Sequence, residues 1–145
     1  MIDIETITNI FRSLDTYLEV LRQLASLPKE SLAHDPVHMG AAKYYLQVSI
    51  EGCINMANHI IAQQGLRAPE SYADAFAILA DNRIIEPDFL PTAVKMVGMR
   101  NRLVHLYWEV DADILYETLQ HNLQDLDRFK AYILRLVQSQ DEPSS

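Results

Sequence analysis

The sequence predicts an all-α bundle of four long helices and one short helix. Apolar residues recur at intervals of three and four along most of the chain, which is the period of an amphipathic helix. No segment shows the sustained alternation of polar and apolar residues that is typical of a half-buried strand. The 145 residues are enough to bury one core, so we expect a single domain over residues 1–140 and a disordered tail over residues 141–145.

The first two long helices have clear boundaries. One covers about residues 3–27 and ends before Pro28, because the residue that precedes a proline avoids helical backbone. The next is capped by Asp35, carries Pro36 at its first position and ends before Gly65. Apolar residues surround most of this second helix, which predicts that it is the central one.

Three further helices complete the prediction. A short one follows the capping residue Ser71, and the next long one opens near Pro87. The polar stretch Arg100–Tyr107 is predicted to lie on the last turns of that helix. Asp111 is expected to cap a final long helix that runs to about Gln138.

Charge and composition exclude several classes of protein. The net charge of −8 argues against a broad basic surface that tracks nucleic acid. Residues 83–105 nevertheless hold four cations and two acids, whereas residues 106–145 hold three cations and eight acids, so a local anion site is allowed. No apolar run is long enough for a membrane span and no secretory signal is recognisable. Cys53 is the only cysteine, which fits a reducing environment, and we expect a cytoplasmic protein.

The stretch Arg-Asn-Arg-Leu-Val-His-Leu-Tyr, residues 100–107, carries the chemistry. An arginine supplies a permanent positive charge and a histidine supplies a proton near neutral pH, which together suit acid–base work on a phosphate. On an ideal helix Arg100 and Tyr107 lie about 20° apart, but Arg100 and His105 lie about 140° apart. One helix therefore presents the arginine and the histidine on different faces.

Three arrangements could bring Arg100 and His105 together. The helix could loosen near its end, Arg100 could reach around it, or the site could be shared across a two-fold axis. We favour the shared site, because it gathers two motifs and their four arginines in one cleft. A surface arginine and a structural histidine without a catalytic role remain the simplest alternative.

Other polar residues have weaker signals. His34 and His38 have the spacing of two helical metal ligands, but a proline lies between them and no acid or cysteine cluster completes the set, so no metal site is predicted. On the central helix, Asn55, Asn58 and His59 either make local hydrogen bonds or approach the motif from the neighbouring helix. Both interpretations are open at this point.

The motif and its surroundings resemble the HEPN superfamily, specifically its HepT-type toxin branch. The similarity covers Arg100–Tyr107 with the Trp-Glu-Val-Asp that follows, residues 49–61 of the central helix and residues 69–80. Together these segments span most of residues 45–111, and their combination is more specific than the motif alone. The resemblance implies a dimeric, HEPN-type antiparallel bundle.

The resemblance also implies a function and a set of site residues. It implies a homodimeric endoribonuclease that acts without metal or other cofactor, as the toxin of a type VII-like toxin–antitoxin pair. Arg100, His105 and Asn101 would be catalytic, while Arg102 and Lys95 would support RNA binding. Tyr107 would be the residue to which an MntA-type nucleotidyltransferase antitoxin attaches AMP.

Two questions stay open at this stage. The RNA is unidentified, although the low positive charge favours a short structured target, with tRNA as one candidate. A non-catalytic HEPN module that serves as a binding scaffold for a nucleotidyltransferase is the main alternative to the toxin. The presence of Arg100, His105 and Tyr107 together favours the enzyme.

Overall fold

The computed structural model describes residues 2–141, and over that range it contains seven α-helices and two short 3-10 turns. The predicted tail lies outside the described residues except for Asp141, which ends the last helix. The helices are α1 Ile4–Ala25, α2 Lys29–His34, α3 Pro36–Gln63, α4 Tyr72–Asp81, α5 Leu90–His105, α6 Ala112–His121 and α7 Leu123–Asp141.

The predicted all-α architecture is confirmed, and the first three predicted long helices, α1, α3 and α5, and the short helix α4 are present. The predicted caps are present at three helix starts. Asp35 accepts a hydrogen bond from the backbone N–H of Val37, Ser71 caps α4 and Asp111 caps α6. Gly65 has a φ of 65° directly after α3, the left-handed backbone that glycine adopts without strain.

Outside the motif, two helix boundaries differ from the sequence prediction. The first helix ends at Ala25, and a short helix, α2, follows with Pro28 before its first residue. The predicted final helix is two helices, α6 and α7, which separate at Asn122. The Asn122 side chain donates to Asp125, and this local bond replaces the continuation of α6.

The long helices pack in antiparallel fashion. Along α1 and α3, Tyr17 packs on Tyr45 near one end, with ring centroids 5.8 Å apart, while Ile10 contacts Gly52 further along. Between α1 and α7, the pairs Arg22–Asp127 and Lys130–Asp15 run in opposite order. The antiparallel register brings the middle of α3 alongside the second half of α5, which carries the motif.

Helix α3 lies at the centre of the fold, as the breadth of its apolar positions predicts. Its buried residues meet α1, α4, α5 and α7. Phe76 of α4 and Phe129 of α7 pack edge to face at 5.4 Å and are fully buried. Cys53 lies within this core, and burial raises the pKa of its thiol to about 12.

Candidate active site

The motif is divided between a helix end and a turn. Helix α5 ends at His105, and Leu106 has non-helical backbone angles, φ −134° and ψ 45°. Tyr107 begins a 3-10 turn, Tyr107–Glu109. The predicted alignment of Arg100 with Tyr107 on one helix face is therefore wrong, because the helical wheel does not extend beyond His105.

Arg100 is fixed by three neighbours. Its Nε and one terminal nitrogen each lie 3.0 Å from the same carboxylate oxygen of Glu51 on α3. Its other terminal nitrogen donates to the side-chain oxygen of Asn101 at 3.2 Å. The guanidinium also lies over the ring of Tyr72, 5.1 Å from its centroid. With 16% of its side chain exposed, Arg100 is held toward α3 and α4.

His105 lies apart from Arg100 within one chain. It is the last residue of α5 and is exposed. No hydrogen bond or ion pair within residues 2–141 joins it to Arg100. The helix is regular between the two residues and the Arg100 side chain points toward Glu51, so neither helix loosening nor a long reach occurs in this structure.

A buried lysine contacts both the backbone and the ring of Tyr107. Lys43, a residue of α3 that is only 5% exposed, donates from its ammonium group to the backbone carbonyl of Tyr107 at 2.8 Å. The same ammonium lies 4.0 Å from the centroid of the Tyr107 ring. Burial lowers the pKa of Lys43, and the charge of Asp111 opposes that shift. Tyr107 as a whole residue remains 46% exposed.

The other predicted site residues lie on two sides of α5. Asn101 is exposed and lines a cavity of about 570 Å³ together with Asn58 and Val97. Lys95 is exposed and lines a separate cavity of about 360 Å³ near the start of α7. Arg102 is half-buried in the last turn of α5. One chain therefore brings Asn101 to Arg100 but leaves Lys95 at a different cavity.

Three residues that the sequence prediction missed hold this arrangement: Lys43, Glu51 and Tyr72. A lysine and an acid on the most apolar helix of the chain were the available signal, since buried charges need partners. Tyr72, the first residue of α4, is 43% exposed. Of the two interpretations of the asparagines on α3, the structure favours the one in which their side chains approach the motif. Asn58 lines the Asn101 cavity, and Asn55 lines a smaller one with Arg100.

The part of the chain that the structure describes contains neither a cluster of metal ligands nor a helix that could span a membrane. Within residues 2–141 there is no group of three or more His, Cys, Asp or Glu side chains that could hold a metal ion. His34 ends α2, and His38 lies 3.4 Å from Asp35. Within the same range, no helix is long and apolar enough to cross a membrane.

The fold and the site define a class: an all-α bundle whose antiparallel helices carry an Arg-x4-His motif at an exposed helix end. A family model described as ribonuclease HepT-like matches residues 14–133, and the chain belongs to that family.

Individual relatives agree with the family assignment. The mRNA nuclease HepT of Shewanella oneidensis is 44% identical over 84 residues, which are 58% of this chain and 63% of that protein, so the match spans less than two thirds of the relative. The tRNA nuclease HepT of Aphanizomenon flos-aquae is 23% identical over 131 residues, which are 86% of this chain and 88% of that one.

A solved structure extends the similarity to the whole fold. The tri-AMPylated Shewanella oneidensis HEPN toxin, in complex with an MNT antitoxin, superposes with a TM-score of 0.83 and 33% identity. The match covers 93% of this chain and 99% of the toxin.

Proposed function

We propose that the chain is a metal-independent endoribonuclease toxin that acts in the cytoplasm and is neutralised by AMP transfer to Tyr107. The observation that carries this proposal is the pair Arg100 and His105 at the exposed end of α5, in a chain of the ribonuclease HepT-like family. Two relatives are named as nucleases, one of mRNA and one of tRNA, which supports RNA as the substrate and tRNA as one candidate.

The site forms between two copies of the chain. Arg100 is directed toward its own α3, whereas His105 is exposed at the helix end, so the pair is completed when the His105 of one copy approaches the Arg100 of the other. The outward face of α5 includes Gly98, Asn101 and His105, all exposed. A Cβ atom built on Gly98 meets nothing within 4 Å, so this face is open to a second helix.

The chemistry follows from the residue types. His105 takes the proton of a ribose 2′-hydroxyl, or gives a proton to the leaving 5′-oxygen. The 2′-oxygen attacks phosphorus and the bond to the 5′-oxygen breaks. Arg100 stabilises the negative charge that accumulates on the phosphorane-like transition state, and Asn101 orients Arg100 through their hydrogen bond. The products are a 2′,3′-cyclic phosphate and a 5′-hydroxyl.

Binding of the RNA backbone requires more positive charge than one Arg100 supplies. Arg102 and Lys95 are the remaining cations of α5 and support RNA binding along that helix. They are seven residues apart, which is about 10 Å along a helix and on nearly the same face. The acidic remainder of the chain limits the contact to a short RNA segment.

Inactivation acts at Tyr107. Tyr107 is 46% exposed and begins a turn two residues after His105, so a nucleotidyltransferase of the MntA type can reach the residue without unfolding the helix. The AMPylated state of the similar Shewanella toxin supports this role. Added phosphates next to His105 and Arg102 would neutralise the site and block RNA.

The decisive experiment is complementation between two inactive variants. Arg100→Ala and His105→Ala should each lower RNA cleavage at least about 100-fold. In a mixture, a heterodimer regains one intact site from an arginine of one chain and a histidine of the other. Equal mixing should therefore restore about a quarter of the wild-type activity.

Each outcome has a distinct meaning. Cleavage that survives His105→Ala contradicts the catalytic assignment. Two inactive variants that stay inactive after subunit exchange contradict the shared site. A wild-type protein that binds the transferase but cleaves no RNA is the non-catalytic scaffold instead. Mass spectrometry after incubation with the transferase and ATP tests whether Tyr107 receives AMP. An unmodified tyrosine contradicts its proposed role in inactivation.

A further inference from the structure

A cavity beside Arg100 receives no part of the RNA in the reaction described above. Its volume is about 570 Å³, within the range of small-molecule sites in proteins. It is bounded by the middle of α3, by the connection into α4, by the start of α4 and by α5. Its lining residues are Asn58, Pro69, Glu70, Ser71, Tyr72, Ala73, Val97 and Asn101.

The lining has the chemistry of a base pocket and not of a phosphate pocket. It contains no lysine or arginine, and Glu70 would repel an anion. Asn58 and Asn101 each carry a carboxamide, which presents a donor and an acceptor side by side. The edge of a nucleobase presents the same pair of groups, and asparagine is a common partner for it. Val97 and Pro69 add apolar surface for the face of a flat ring.

The cavity is joined to Arg100 by two of its own lining residues. Asn101 accepts a hydrogen bond from Arg100 at 3.2 Å. The guanidinium of Arg100 lies over the ring of Tyr72, 5.1 Å from the ring centroid. When Arg100 binds a phosphate of the RNA, the base of the nucleotide before or after that phosphate can therefore enter the cavity.

We propose that this cavity binds one unpaired nucleobase next to the scissile phosphate, and that Asn58 is the residue that reads its edge. The inference rests on the proposed ribonuclease function and deepens it. An unpaired base is required, since the edge and the face of a base are both accessible only outside a duplex. The toxin thus selects single-stranded or unstacked positions in its RNA.

The test uses a short RNA that wild-type protein cleaves at one mapped position. Each nucleotide next to the cleavage site is replaced in turn by an abasic nucleotide. For the wild-type dimer, one of these replacements should lower kcat/KM about tenfold or more, the effect of one lost base contact. Asn58→Ala should lower cleavage of the intact RNA similarly and should lose no further activity on the abasic RNA. Asn9→Ala, which changes an exposed asparagine on α1, should respond as wild type.

A second measurement needs no variant. A fluorescent 2-aminopurine at the sensitive position, in an RNA whose attacking 2′-hydroxyl is removed, should change its emission when wild-type protein binds. If the protein cleaves the intact RNA and every abasic RNA equally well, the base pocket is overturned but the ribonuclease function is not. A monomeric Asn58→Ala protein also overturns it, since the cavity would then be a subunit interface. Absence of cleavage of any RNA by wild type overturns both.

Discussion

The buried ammonium group of Lys43 lies beneath the ring of Tyr107, 4.0 Å from its centroid, and donates to the backbone carbonyl of the same residue at 2.8 Å. One side chain of the central helix α3 thus holds both the backbone and the ring of the turn that follows α5. A cation over an aromatic face is most favourable when it is desolvated, as it is here. The turn is fixed from inside the fold, while Tyr107 remains 46% exposed.

Replacement of Lys43 by methionine should slow AMP transfer to Tyr107 severalfold or more. Methionine keeps the length of the side chain but removes the hydrogen bond and the charge, so the turn loses its support. The free energy of unfolding should change by only about 1 kcal/mol, because removal of a desolvated charge offsets the lost contact. Intact-mass spectrometry over time measures the transfer. Lys29→Met is the control, and transfer at the wild-type rate by Lys43→Met would contradict the proposed role.

Replacement of Glu51 by glutamine should lower kcat for RNA cleavage by about tenfold or more, with little change in KM. Glutamine keeps the shape of the residue but removes the ion pair that orients Arg100, and hydrogen bonds to charged groups contribute about 1.5–3 kcal/mol. Steady-state kinetics separates the two constants. Glu19→Gln, an exposed acid of α1, should behave as wild type. An unchanged kcat for Glu51→Gln would show that Arg100 needs no partner on α3.

Replacement of Gly98 by valine should weaken the dimer about tenfold or more. A Cβ atom at this position meets nothing within 4 Å in its own chain, so we attribute the effect to a second copy. Gly40→Val is the matched control, because Gly40 is a helical glycine with equally open space. Sedimentation over a range of protein concentrations measures the dissociation constant. Equal association by both variants would move the interface away from this face of α5.

The pair Arg67–Asp74 should make the stability of the α4 region depend on pH in the acid range. Hydrogen bonds from Arg67 and from the backbone N–H of Glu70 lower the pKa of Asp74 from 3.8 to about 2. Because the folded state binds this proton less readily than the unfolded state, the contribution is complete above about pH 4 and is lost as the pH falls toward 2.

Urea unfolding between pH 2 and 5 measures this dependence. Asp74→Asn removes the titrating group, so its stability should fall less steeply than that of wild type in this window. Asp81→Asn changes an exposed acid of the same helix and should follow wild type. Parallel curves for Asp74→Asn and wild type would contradict the assignment.

The sequence by itself determined the helical class, most helix boundaries and the location of the motif. Helices depend on local patterns, which are the spacing of apolar residues and caps such as Asp35, Ser71 and Asp111. The break at Asn122 was not predicted, because asparagine also occurs within helices. The chain at this residue can either continue the helix or form the local bond to Asp125, and the sequence does not distinguish between them. The end of α5 before Tyr107 was not predicted either, because no proline or glycine marks it.

Only the tertiary structure decided how the site is held. The partners Glu51 and Arg100 are 49 residues apart, and Lys43 and Tyr107 are 64 apart. No local pattern encodes such pairs, because they depend on the register in which α3 and α5 pack against each other. The sequence predicted that Arg100 and His105 lie on different faces of one helix. The packing of α3 and α4 then fixed Arg100 toward the interior, while the helix end left His105 exposed, since helix packing buries one side of α5 and leaves the other in solvent.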